Sequence, residues 1–161
     1  MNRGSVEIVA WDPAWAEAAA REAALLAPLG PVEHIGSTAV PGLAAKPILD
    51  LMIGVADLDA AVEPIEARGW FHWQSWEAHA SNRRYFWRGE PTRHTHHLHA
   101  VPFDGPFWRS HLQFRDRLRA DPSLAAAYAA LKVDLAARHR DDRDAYTAGK
   151  AEFIEGVLRR C

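Results

Sequence analysis

The stretch Pro47–Val55, PILDLMIGV, constrains this chain more than any other. It is apolar on both alternating faces except at Asp50, the pattern of a strand covered on both sides. Such a strand has to lie inside a sheet with packed layers above and below it. A carboxylate within it is costly to bury unless something pairs with it or uses it. Asp50 and Met52 project from the same face, because successive side chains alternate. A second acid at Met52 would let two carboxylates share magnesium, whereas a thioether is a poor magnesium donor. The paired-acid arrangement is therefore not assembled from this strand.

The neighbouring elements follow from periodicity and punctuation. Val6–Trp11 alternates and predicts a short strand, followed by an alanine-rich helix capped by Asp12, with Pro13 at its first position, ending near Gly30. Val32–Ile35 reads as a strand stopped by Gly36. Ser37–Lys46 reads as a turn or short helical connection, interrupted by Pro41 and Gly42. Asp57 caps a helix that Gly69 ends. The aromatic, alternating segment from Phe71 to Phe103 predicts a hairpin of RRYFWR against HHLHAVP around RGEPTR. After Gly105, three segments keep apolar residues at three- and four-residue spacing and predict three helices. The expected fold class is α+β: a small mixed β-sheet with flanking helices and a helical C-terminal part. Its 161 residues suit one domain, with a sheet-containing part over about 1–104 and a helical part over about 105–161.

A net charge of −2 and a pI near 6.5 carry no global basic excess, which favours a small-molecule ligand over nucleic acid. The one cysteine is Cys161, so no internal disulfide is available. Glu7, Asp12 and Pro13 break any signal-peptide core, and no run of 18 apolar residues is present. These features lead to the expectation of a cytoplasmic protein without a membrane span.

Four constellations carry chemistry. In the first, the turn Gly36–Ser37–Thr38 with Lys46 and Asp50 offers phosphate oxygens a hydroxyl, backbone N–H groups and a point charge, while Asp50 offers a divalent ion a carboxylate. The plain alternative is a tight turn with a capping serine. In the second, RHTHHLHAV puts His97 and His99 on one strand face, about 7 Å apart along the backbone. Beside a strand carrying Asp50 they make a mixed nitrogen and oxygen site, better suited to zinc, manganese, iron or nickel than to magnesium. One solvated and one structural histidine is the competing account. Third, Arg83 and Arg84 are forks for phosphate or carboxylate, while the tryptophans nearby fit packing better than base stacking. Fourth, Tyr128 with Lys132 and Tyr146 with Lys150 each share a helix face at i, i+4, against the commoner case of a solvated lysine above a packed tyrosine.

Taken together, VEHIGSTAVPGLAAKPILDLMIGV, HHLHAV, LQFRDRLRADPSLAAAYAALK and RDAYTAGKAEFIEGVL resemble the GrpB family, in the same order and from about Val6 to Leu158. The resemblance implies a nucleotidyltransferase-superfamily fold in a bacterial protein, free-standing or fused to dephospho-CoA kinase. Position by position it falls on Gly36, Ser37, Thr38, Pro41, Gly42, Lys46, Pro47 and Asp50, on His97 and His99, and on Tyr128, Lys132, Tyr146 and Lys150. Met52 departs from the active nucleotidyltransferase pattern, and the family has no generally established reaction.

Three functional expectations follow. The leading one is a nucleotidyltransferase-like protein binding a phosphate-containing ligand, a nucleotide or CoA-pathway metabolite. In it Asp50 and His99 act in catalysis, Asp50 with His97 and His99 hold a divalent ion (magnesium, manganese or zinc), and Lys46, Arg83, Arg84, Lys132, Tyr146 and Lys150 surround the ligand with the Gly36–Thr38 turn. The second is a non-catalytic nucleotide- or CoA-like ligand-binding domain with a degenerate active site. The third is a transition-metal-dependent hydrolase or transferase built on the His-x-His pair.

Overall fold

The structure, a computed structural model, describes residues 7–75 and 82–160. Five strands form one mixed sheet: β1 (Val32–Ile35), β2 (Leu49–Val55), β3 (Phe71–His72), β4 (Arg84–Glu90) and β5 (Arg93–Pro102), in the order β1-β2-β5-β4-β3. β2 and β5 run parallel; the other neighbouring pairs are antiparallel. The helices are α1 (Ala14–Leu26), α2 (Leu58–Glu66), α3 (Pro106–Ala120), α4 (Pro122–Arg138) and α5 (Arg143–Arg159). This is the mixed sheet with flanking helices that the alternating and helical patterns predict.

β2 lies between β1 and β5, and Leu51, Met52 and Ile53 are fully buried, which explains why the segment is apolar on both faces. On one face, Leu51, Ile53, Phe86, Leu98 and Ala100 pack with Ala19 and Leu26 of α1, Ile65 of α2, and Trp70. On the other, Ile35, Met52 and Val101 pack beneath Trp108, Phe107 and Leu112 of α3. A third cluster joins Val40 and Leu43, in the connection before β2, to Leu118, Tyr128, Phe114 and Phe153 of the three C-terminal helices. The connection carrying Ser37 is thereby clamped between sheet and helices.

Capping is supplied by aspartates. Asp57 accepts hydrogen bonds from the Asp59 and Ala60 amides, Asp121 from Leu124 and Asp142 from Ala145. Asp12 accepts from the Ala14 amide at 2.9 Å at the start of α1. The expected strand over Val6–Trp11 is not formed within the described residues 7–11. Val9 makes an isolated antiparallel bridge with Ala45, and Trp11 turns its indole N–H onto the Thr38 carbonyl at 3.0 Å. With Asp12 and Pro13 starting a helix at once, there is no length over which a ladder can grow. Residues 76–81 of the aromatic segment and Cys161 lie outside the described residues.

Candidate functional site

The parallel register of β2 and β5 sets Asp50 opposite His97 and Met52 opposite His99. The strand carrying the histidine pair is therefore the neighbour of the strand carrying the acid. Asp50 Oδ1 is 3.5 Å from His97 Nδ1, and the other ring nitrogen of His97 is 3.0 Å from His94 Nδ1. His94 in turn stacks on Trp87, ring centroids 4.5 Å apart.

Asp50 keeps about a third of its side chain open, at 34%. Burial opposes its ionisation, but the His97 hydrogen bond and the charges of His97, His99 and Lys150 outweigh that effect and hold the carboxyl below its usual value. The Gly36 turn is pressed against it. Gly36 has φ +74, and a Cβ there would come within 2.8 Å of Asp50 Oδ2. Glycine is required by both backbone conformation and space.

Around this acid stand lysines from the connection before β2 and from the helical half. Lys46, just before β2, and Lys150 of α5 both lie against one tyrosine, 5.3 Å and 4.8 Å from the Tyr146 ring centroid. Burial, with repulsion from Lys150 and Arg143, lowers the Lys46 amine to about 8 despite Asp50. Burial also lowers Lys150, with Arg143 adding repulsion and Asp50 opposing it. Lys132 of α4 is 5% exposed and donates to Ser37 Oγ at 2.7 Å and to the Ala44 carbonyl at 3.0 Å. Its amine is brought to about 8 by burial, Lys150 and Lys46. Tyr128 and Tyr146 are both buried, and burial raises both phenols, so each stays protonated.

The remaining expected residues are distributed unevenly. His99 is on the Asp50 face, its ring edge-on to Tyr85 at 4.8 Å and tilted against Phe107 at 5.6 Å. Burial brings it down to about 3, so it is a neutral imidazole. Arg83 shares that environment, its guanidinium 4.6 Å from the Phe107 ring centroid. Arg84 projects to the opposite face and pairs with Asp59 of α2 at 2.7 Å. Thr38 is buried, its hydroxyl 2.8 Å from His34 Nε2, and so braces the turn from beneath.

Two imidazoles near the site escape a reading of motifs. His34, lowered to about 4 by burial and by Arg119, and His111, stacked on Phe107 at 3.8 Å, both feel the charge of Asp50. The signal for His34 was its place one residue before the strand end that meets the glycine turn; His111 had none.

The donor set for a divalent ion is narrow. Met52 is fully buried against Ile35, Val101 and Trp108, so the position of a second acid is filled by core. Glu33, opposite Met52 on β1, is held by Arg115 of α3 at 2.6 Å. Among the described residues no group of three or more His, Cys, Asp or Glu side chains is placed to hold a metal ion. Asp50 and His97 give two donors.

Comparison with known proteins adds the following. A family model described as GrpB protein matches residues 5–160. The UPF0157 protein YqkA of Bacillus subtilis is 40% identical over 93% of this chain, which spans 45% of that relative's length. A dephospho-CoA kinase of Mycolicibacterium paratuberculosis is 32% identical over 98% of this chain and 46% of its own. The crystal structure of conserved protein GrpB from Enterococcus faecalis superposes with a TM-score of 0.79 at 35% identity, covering 96% of this chain and 98% of that one. Among the described residues no helix is long and apolar enough to cross a membrane.

Proposed function

The chain belongs to the GrpB family, and from that premise we propose that it binds a phosphate-containing small molecule, a nucleotide or a CoA-pathway metabolite, at the Gly36–Ser37 turn beside Asp50. One observation carries the reading: Lys46 and Lys150 lie against the same Tyr146 ring near Asp50, 5.3 Å and 4.8 Å from its centroid, and burial, with repulsion from Lys150 and Arg143, lowers the Lys46 amine. Lysine amines buried this close together are relieved by an anion, and the relief appears as affinity. Gly36 is exposed and Ser37 half-buried, so the turn is open to a ligand from outside. The similarity to half of a dephospho-CoA kinase supports the CoA branch.

Lys46 and Lys150 would neutralise the phosphate, Ser37 would donate or accept beside it, and Arg83 would close the site from just before β4. Asp50 lies against His97 and partly offsets the lowering of the Lys46 and Lys150 amines. The narrow donor set favours binding that does not depend on a protein-held metal, and no step is derived through one. If a divalent ion enters, Asp50 and His97 are its protein donors and the ligand supplies the rest.

Calorimetry with pyrophosphate, ATP and CoA, with and without EDTA, tests this. The expected result is binding that survives EDTA, weakens at least tenfold in Lys150→Met, and persists in Asp50→Asn because one repulsive charge is gone. Absence of binding to all three probes, or affinity unchanged in both Lys46→Met and Lys150→Met, sinks the reading. Binding abolished by EDTA and by Asp50→Asn alike supports the metal-dependent transferase instead.

A further inference from the structure

Ser37 and Lys132 have a geometry that ligand binding alone does not require. Ser37 begins a short helical turn directly after strand β1 and the positive-φ Gly36, a sharp strand-to-helix bend that presents its hydroxyl. Strand-turn-helix bends of this kind are where nucleophilic serines are displayed. The Lys132 amine lies 2.7 Å from Ser37 Oγ and is itself fixed by the Ala44 carbonyl at 3.0 Å and the Tyr128 ring at 5.1 Å. A nucleophile within hydrogen-bond reach of a base, with the base oriented by a third group, is the arrangement of an activated serine.

Such a base has to be neutral. The charged and titratable groups around Lys132 are Lys46, Lys150 and Tyr128; burial first, and then the two lysines, disfavour its proton, and Tyr128 stays a neutral phenol beside Ser37. With the amine near 8, a substantial fraction is unprotonated in mildly alkaline solution. An exposed lysine would offer very little there.

We propose that Ser37 is a nucleophile activated by Lys132 and directed at an electrophilic phosphoryl centre, an activated phosphate ester or anhydride. The Ser37 Oγ–phosphorus bond forms as the bond from phosphorus to the leaving oxygen breaks. The hydroxyl proton passes to Lys132 Nζ, which returns it to the leaving oxygen, so atoms and charge balance without another reactant. The seryl phosphate ester is then open to water or to an acceptor hydroxyl. This goes beyond anion binding, which rests on Lys46 and Lys150, and the two are tested separately.

The experiment uses diisopropyl fluorophosphate, an uncharged phosphoryl probe with fluoride as leaving group, on the whole protein, with adducts mapped by tandem mass spectrometry. The expected result is one adduct, on Ser37, forming faster as pH rises through about 8 and levelling above it. Ser37→Ala removes the adduct, and Lys132→Arg, which keeps the charge but cannot give up its proton, slows labelling by about a hundredfold or more. Thermal melts confirm that the variants are folded, and the wild-type pH profile stands without them. Absence of a Ser37 adduct at pH 9, labelling with no rise between pH 7 and 9, or equal rates in Lys132→Arg overturns the proposal. Because the probe is uncharged, failed labelling leaves the pyrophosphate result untouched, and failed pyrophosphate binding leaves labelling untouched.

Discussion

The two faces of the sheet use the same strands for opposite purposes. Against α1 and α2, β2 and β5 bury aliphatic side chains, Leu51, Ile53, Leu98 and Ala100, with His96 edge-on to Trp70 at the margin. One residue out of phase, β2 and β5 present Asp50, His97 and His99, and the helices on that side bring in lysines. Met52 and Val101 mark where the second face becomes core beneath α3. The first face can thus give the fold its stability while the second tolerates groups that oppose it. Polar chemistry in so small a domain depends on that division.

The division can be broken most severely at Met52. Met52→Asp, which would restore a pair of acids on paper, buries an unpaired charge against Trp108 and is expected to cost on the order of 4 kcal/mol or more, measured by urea unfolding. Leu51→Ala on the dry face should cost about 2–5 kcal/mol while leaving pyrophosphate affinity within twofold, provided the protein is assayed where it is folded.

Acid reaches the buried imidazoles of both faces without mutation. His34 and His99, lowered to about 4 and about 3, remain neutral in the folded protein below pH 6.5, where the unfolded chain takes up protons. Their contribution to stability is present above pH 6.5 and lost as pH falls. Between pH 6 and 5 the two together should remove about 2 kcal/mol, and His99→Gln should flatten the slope. Gly36→Ala is expected to cost about 1–3 kcal/mol from backbone strain alone, with further loss from the contact with Asp50, and to weaken anion binding. Arg84→Ala, at an ion pair whose aspartate is largely exposed, should change stability by less than about 1 kcal/mol and binding not at all.

Much of this architecture is legible in the residues because punctuation and periodicity agree. Gly36, Asp57 and the RGEPTR turn bound their elements, and the alternation in HHLHAV puts His97 and His99 on one face. Strand order is a different matter. That β5 would insert beside β2, bringing His97 to Asp50, depends on long-range pairing that no local pattern encodes. The choice between Arg83 and Arg84 likewise depends on register. Neighbours on a strand point to opposite faces, and the sequence contains both in one run. Thr38 looks like a ligand residue beside Ser37, yet the helical turn rotates it beneath, toward His34.

The parallel pairing of β2 with β5 also sets an order of events during folding. β4 and β5 are joined by a tight turn and can zip together early, whereas β2 must wait for α2 and the whole hairpin to close a long loop before it finds its partner. Transition-state φ-values are accordingly expected to be higher for Phe86 in the hairpin than for Ile53 in β2. Asp50 then meets His97 only once the chain has committed to its native topology. A half-folded molecule carries neither the carboxylate–imidazole contact nor the lysines near it, so the acid of β2 and the histidines of β5 come together only at the end.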